Sequence, residues 1–192
     1  GRFVRITLEL WSKVEWYGVV HDGATDDVEA WGRIVASPAT HVTMQKGTSI
    51  CSRGFVVSAG RKALIIEGES YESDPANSYV ASSEILFTLS SANNIAVKAQ
   101  NYSTTFINFG LRNSNANDGL NSIGFYHAQP SNGTAGRLTH RGLKVYGFSD
   151  SQVVIRQAMC YTFDKGTLYG GNFGLKMLRS ENDAIHSTTL SM

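Results

Sequence analysis

From residue 41 onward, apolar residues come in runs of three to five, separated by polar, glycine-containing stretches. Phe55-Val56-Val57, Ile85-Leu86-Phe87, Ile95-Ala96-Val97 and Val153-Val154-Ile155 are typical runs. Short runs rich in Val, Ile and Phe predict strands. The intervening Ser90-Ser91-Ala92-Asn93-Asn94 and Gly170-Gly171-Asn172 predict tight turns. Ile65, Leu86, Ile107, Phe125, Val145, Leu168 and Ile185 follow one another at separations of 21, 21, 18, 20, 23 and 17 residues. A rhythm of roughly 20 residues predicts a solenoid in which each coil supplies two or three short strands. One coil cannot bury its apolar face alone, whereas coils stacked about 4.8 Å apart build a continuous core. A β-sandwich, with strands roughly every 8–12 residues, is the rival that spacing alone leaves open.

The chain before His41 differs from this pattern. Residues 1–16 read as an extended lead-in. Val28, Trp31, Ile34 and Val35 recur at helical spacing and form one apolar face. Asp26, or Thr25 in its place, is a suitable N-cap, and Glu29 three residues beyond Asp26 completes a capping box. Ser37-Pro38 ends the helix after about ten residues, because the residue before a proline is disfavoured in helical geometry. A short amphipathic helix of this kind needs a sheet or an open core end to cover.

Composition sharpens the all-β expectation. Charged residues make up 17% of the 192 residues, against about 25% in typical domains. There are 19 glycines and 3 prolines. The net charge is +1, and no basic face is interleaved with aromatics, which argues against nucleic-acid binding. No run of 18 apolar residues is present, so no membrane-spanning helix is expected. The opening Gly1-Arg2-Phe3-Val4-Arg5 suggests a piece of a longer protein. Cys51 and Cys160 are far apart and read as two small buried apolar residues. The five histidines are scattered without metal-ligand spacing, and no metal or cofactor is implied.

The segment from Tyr17 to Ala30 resembles the opening motif of the pectate-lyase-type β-helix superfamily, as it occurs in bacteriophage tailspikes and capsule depolymerases. That motif reads aromatic-Gly-Ala-x-Gly-Asp-Gly-x-Thr-Asp-Asp and runs into a helix. Tyr17, Gly18, Asp22, Gly23, Thr25, Asp26 and Asp27 match it, while Val19 replaces Ala and His21 replaces Gly. Beyond Ala30 and the helix, the likeness is one of style. The resemblance implies a right-handed parallel β-helix: entry motif and capping helix over 17–40, coils over 41–192. It further implies a homotrimer in a phage tail, with other tail proteins and a bacterial surface polysaccharide as partners. The motif's carboxylates read as structural, because a calcium loop expects more alternating ligands.

Candidate chemistry is therefore sought on the coils. Glu67 and Glu69, two apart on a strand, would stand roughly 6.5–7 Å apart on one face, suiting an inverting hydrolase pair. Tyr71 beside them is a candidate sugar-stacking ring, and Arg137 and Arg141 are candidate substrate contacts. Arg137, His140, Arg141 and Lys144 form the basic group that a lyase would use. Glu181-Asn182-Asp183 is a weaker acidic cluster. Three functions fit: a tailspike that binds or cleaves capsule or lipopolysaccharide, a non-catalytic receptor-binding module, and a cellular pectinase-like enzyme.

Overall fold

The computed structural model describes residues 11–191 except 62, 70–72, 75–76, 102, 115–118, 129–134, 157 and 179–186. At 73–74, 77–80, 135–137, 158–160 and 187–191 it describes the backbone. The chain visits three parallel sheets in a repeating order. β1 (Trp11–Lys13) opens sheet A, β2 (Asp22–Asp26) opens sheet B, and helix α1 (Val28–Ala36) follows. β3 (His41–Met44), β4 (Gly47–Cys51) and β5 (Phe55–Val57) join sheets A, B and C in turn. β6 (Ala63–Gly68) returns to sheet A. An antiparallel hairpin of β7 (Ser73–Asp74) and β8 (Asn77–Ala81) then intervenes before β9 (Ser83–Phe87) and β10 (Ile95–Ala99) complete the round in B and C. The next round is β11 (Ser103–Ile107), β12 (Gly110–Asn113) and β13 (Ile123–Ala128). After it come β14 (Ala135–Arg141), β15 (Lys144–Tyr146) and β16 (Ser151–Arg156). β17 (Ala158–Asp164), β18 (Thr167–Tyr169) and β19 (Phe173–Leu178) follow, and β20 (Ser187–Ser191) adds a seventh strand to sheet A.

This is an all-β chain of parallel sheets with one α-helix among the described residues. The rhythm of apolar positions in the sequence is not the distance between stacked strands. Paired residues lie from 22 apart (Val153 with Leu175) to 42 apart (Phe55 with Val97). The apparent rhythm counted strands of different sheets: Ile65 and Ile107 are in A, Phe125 in C, and Leu86, Val145 and Leu168 in B. Ile185 lies outside the described residues. Apolar runs mark strands but do not label sheets, and the β7–β8 hairpin lengthens one round.

Inward residues from strands of all three sheets enter one apolar cluster, including Ile66, Phe106, Phe125, Phe87 and Val145. Rings bridge the sheets: Phe106 meets Phe125 edge-on with centroids 5.4 Å apart, and Phe55 meets Phe87 at 6.2 Å. Helix α1 packs on β5, the edge strand of sheet C, so it stands where the first round lacks a sheet-C strand. Trp31, fully buried, stacks parallel on Phe55 with centroids 5.6 Å apart. The helix thereby covers a row of otherwise open backbone groups. It stops at extended Ser37, as expected, and the Arg61 guanidinium donates to the carbonyls of Ile34, Val35 and Ser37.

The entry motif works differently from the expected capping box. Thr25 donates its hydroxyl to Asp22, and Glu29 pairs with Arg53, so neither caps the helix. Asp26 accepts from the Val28 amide at 3.2 Å and the Ser52 amide at 3.1 Å. Asp27 is the buried centre. Its carboxylate accepts from the amides of Val20 (2.9 Å) and His21 (3.1 Å) and from the Ser49 hydroxyl (2.7 Å). Ser49 in turn accepts the Trp31 indole N–H at 2.9 Å. One carboxylate thus joins the turn before β2, the helix and β4. Ahead of β2 a 3₁₀ turn (Val14–Tyr17) closes on Gly18 at φ 92°. His21, standing where the motif has Gly, adopts φ 44°, a left-handed conformation that His tolerates better than most residues.

Candidate functional site

The outward residues of sheet A form continuous columns, because parallel in-register strands stack equivalent positions about 4.8 Å apart. Trp11 pairs with His41 in register and meets its ring edge-on at 6.3 Å, remaining half exposed. The His41 Nε2–H donates to Glu67 Oε2 at 2.7 Å from the adjacent strand. Glu67, Ile107, Arg141 and Asp164 then follow one another in register across β6, β11, β14 and β17. Where sheet A hands over to sheet B, a cleft of about 510 Å³ is lined by Glu67, Ile107, Asn108, Arg141, Gly142 and Lys165.

The cleft's rim is a stack of corners. Two residues connect A to B in three successive rounds, and the first of each pair is left-handed: Asn108 at φ 50°, Gly142 at φ 64° and Lys165 at φ 51°. The second residue of the first two pairs, Phe109 and Leu143, is fully buried and anchors the corner. Corner amides bond to the next round, Asn108 N–H to Arg141 O and Gly142 N–H to Asp164 O, each at 2.8 Å. The rim is thus fixed by backbone, and the side chains above it are free to serve other ends.

Of the residues singled out in the sequence, Glu67 and Arg141 meet in this cleft. Arg141 is exposed, with Asp164 at 3.8 Å as its ion-pair partner. Glu69 lies just beyond β6, where its carboxylate accepts the Lys46 amide at 2.7 Å and its own amide donates to Ser83 Oγ. It ties together neighbouring corners. Asp164 stands three strands from Glu67, about 14 Å along the sheet. That exceeds the roughly 6.5–9.5 Å of an inverting pair. Arg137 lies on β14, but its side chain is outside the described residues, as are Tyr71 and Glu181-Asn182-Asp183. The entry-motif residues Tyr17, Gly18, Asp22, Gly23, Thr25, Asp26 and Asp27 sit apart from this cleft and hold the first round together.

The proposed basic group of Arg137, His140, Arg141 and Lys144 does not assemble around His140. That residue alternates inward and is fully buried, with its Nδ1 accepting the Phe106 amide at 3.2 Å. The proton therefore sits on Nε2; among the described residues neither Nε2 nor the buried Tyr161 hydroxyl nearby has a hydrogen-bond partner. Burial depresses the His140 pKa to about 3. His127, on the inner face of sheet C, bonds Asn101 O at 3.0 Å and is also held below its ordinary range by burial. Lys144 is buried in sheet B beside β8, which lowers its pKa. Cys51 is a buried free thiol, pushed up by desolvation, in keeping with an inert apolar role.

Trp11, His41 and Lys165 were not singled out in the sequence. His41 and Trp11 lie on strands too short to announce themselves. Asn108 and Lys165 sit at corners whose equivalence depends on register. A second buried ionic group, Glu84, accepts bidentately from Arg112 and from the Thr48 hydroxyl on sheet B. Among the described residues, no three His, Cys, Asp or Glu side chains are placed to share a metal ion, and no helix is long and apolar enough to cross a membrane.

No family model matches the chain, and no curated protein matches it. Among solved structures it is similar to ORF18 of Geobacillus virus E2, at 12% identity and a TM-score of 0.36. That similarity covers 88% of this chain and 48% of the viral one. The chain spans about half the length of the protein it matches.

Proposed function

We propose that the chain is a right-handed parallel β-helix segment of a phage tailspike or tail fibre, and that the outer face of sheet A binds a bacterial surface polysaccharide. The observation that carries the reading is a set of outward groups on successive strands: Trp11 and His41 in one column, and Glu67, Ile107 and Arg141 in the next, bridged by the His41–Glu67 hydrogen bond. An exposed indole offers a stacking face, and charged groups at the strand ends offer hydrogen bonds to hydroxyl and carboxyl substituents. A linear polymer laid across the strands would meet these groups in sequence. The repeating A–B–C strand order supports the β-helix, because parallel crossovers in one sheet are right-handed in about 98% of cases. The entry motif adds the tailspike resemblance.

Binding is favoured over hydrolysis, because Glu67 and Asp164 are too far apart to act as a pair and Glu69 is engaged with the Lys46 amide. The test joins light scattering with incubation against capsule and lipopolysaccharide from a panel of bacteria. A trimer that retains glycan without releasing reducing ends or unsaturated uronates supports the proposal. Release of such products would make it a depolymerase, with Glu67→Gln and Glu69→Gln as the first variants. A monomer without glycan affinity contradicts it.

A further inference from the structure

The corner that rims the cleft occurs in three successive rounds, and its first residue is left-handed each time. Gly and Asn, which occupy it at Gly142 and Asn108, adopt that conformation at little cost. Lys does not, because its Cβ crowds the following carbonyl. Yet Lys165 stands there at φ 51°, exposed, with its side chain on the cleft. The other charged groups of the cleft have partners: Glu67 has His41, and Arg141 has Asp164 at 3.8 Å. Lys165 makes no ion pair among the described residues. A strained position occupied by an unmatched cation at a cleft calls for a reason outside the fold.

Resting on the binding reading above, we propose that Lys165 is a specificity-determining residue that selects an anionic substituent on the polysaccharide, with Arg141 as its neighbour across the rim. The shared chemistry is a carboxylate or phosphate oxygen, which both cations can bind by charge-assisted hydrogen bonds. A neutral sugar would leave the Lys165 ammonium without a counter-charge. Such contacts are screened by salt, because the cleft is open to solvent.

The experiment is calorimetric binding of the whole chain to three probes: alginate as a polyuronate, poly(glycerol phosphate) as a phosphodiester polymer, and dextran as a neutral polymer. Lys165→Gly and Lys98→Ala are compared with the wild type. Lys98 lies on sheet C, away from the cleft, and controls for the loss of one positive charge. The inference predicts that the wild type prefers an anionic probe to dextran by at least tenfold. Lys165→Gly loses most of that preference, Lys98→Ala keeps it, and raising the salt erodes it. Lys165→Gly also melts at the same temperature or up to roughly 4 °C higher, since the left-handed corner is relieved. Which anionic probe binds distinguishes carboxylate from phosphate. Equal affinity for dextran, or an unchanged preference in Lys165→Gly, overturns the inference and leaves polysaccharide binding standing. A melting point several degrees lower would assign Lys165 to the fold. Binding to none of these probes while a bacterial polysaccharide is retained also overturns it. Retention of no glycan at all removes the binding reading and this inference with it.

Discussion

Ile66-Glu67, Phe106-Ile107 and His140-Arg141 each place two adjacent residues of sheet A on opposite sides. One member is buried in the common core and the other faces the solvent or the cleft. The inner column runs Val42, Ile66, Phe106, His140, Phe163, and the outer column Thr43, Glu67, Ile107, Arg141, Asp164. A strand's period of two separates the duties so that a single step along the chain moves from fold to function. The same contrast appears at the entry motif, where buried Asp27 binds three donors and exposed Asp26 binds two amides.

The comparison is broken most severely by truncating the inner column. Phe106→Ala should cost about 3–5 kcal/mol by leaving a cavity among aromatic rings. Its outer neighbour Ile107→Ala should cost about 1 kcal/mol or less, since its side chain is only half buried. Urea unfolding of the two variants measures the difference.

Acid is the next lever. The unfolded His140 titrates near 6.5, whereas the folded one is held down to about 3. Above pH 6.5 the site is neutral in both states. Below it the unfolded chain takes up a proton that the folded chain refuses, so stability falls with pH. The loss at this residue should reach about 3 kcal/mol by pH 4. Denaturant midpoints between pH 7 and 4 measure it, and His140→Gln, which keeps an acceptor for the Phe106 amide, should flatten the profile.

Asp27→Ala should cost about 2–4 kcal/mol, because the amides of Val20 and His21 and the Ser49 hydroxyl lose a buried acceptor. Asp26→Ala should cost nearer 1 kcal/mol. Thermal melts of the pair check this contrast. The smallest stability effect belongs to the cleft. Glu67→Gln weakens a hydrogen bond to His41 whose two side chains are each about a third exposed, so its loss should stay under about 1 kcal/mol.

Much of this was legible in the sequence for a physical reason. Periodicity records burial, so the runs at Phe55-Val56-Val57, Ile95-Ala96-Val97 and Val153-Val154-Ile155 all proved to be strands, and Val28, Trp31 and Ile34 proved to be the buried face of α1. Sheet membership was not legible, because burial alone does not reveal which strand lies beside which. The stacking of Gly142 over Asn108, and of Lys165 over both, is a long-range fact of register. His140 misled for a related reason. A histidine between arginine and threonine reads as solvated, but its place in the alternation, next to Arg141 and two from Leu138, put it inside. In the cleft, Glu67 and Arg141 could be found from residue type and local spacing. His41 could not, because its partner lies 26 residues away.

The account turns on the claim that sheet A folds with its inner side and binds with its outer side. The most direct test is the double variant Glu67→Gln, Arg141→Ala, followed in parallel by melting and by affinity for a polysaccharide the wild type retains. The account predicts a melting temperature within about 4 °C of the wild type and an affinity at least tenfold weaker. Undiminished affinity would contradict it, and so would a collapse of the melting temperature, which would place Glu67 and Arg141 among the residues that hold the fold.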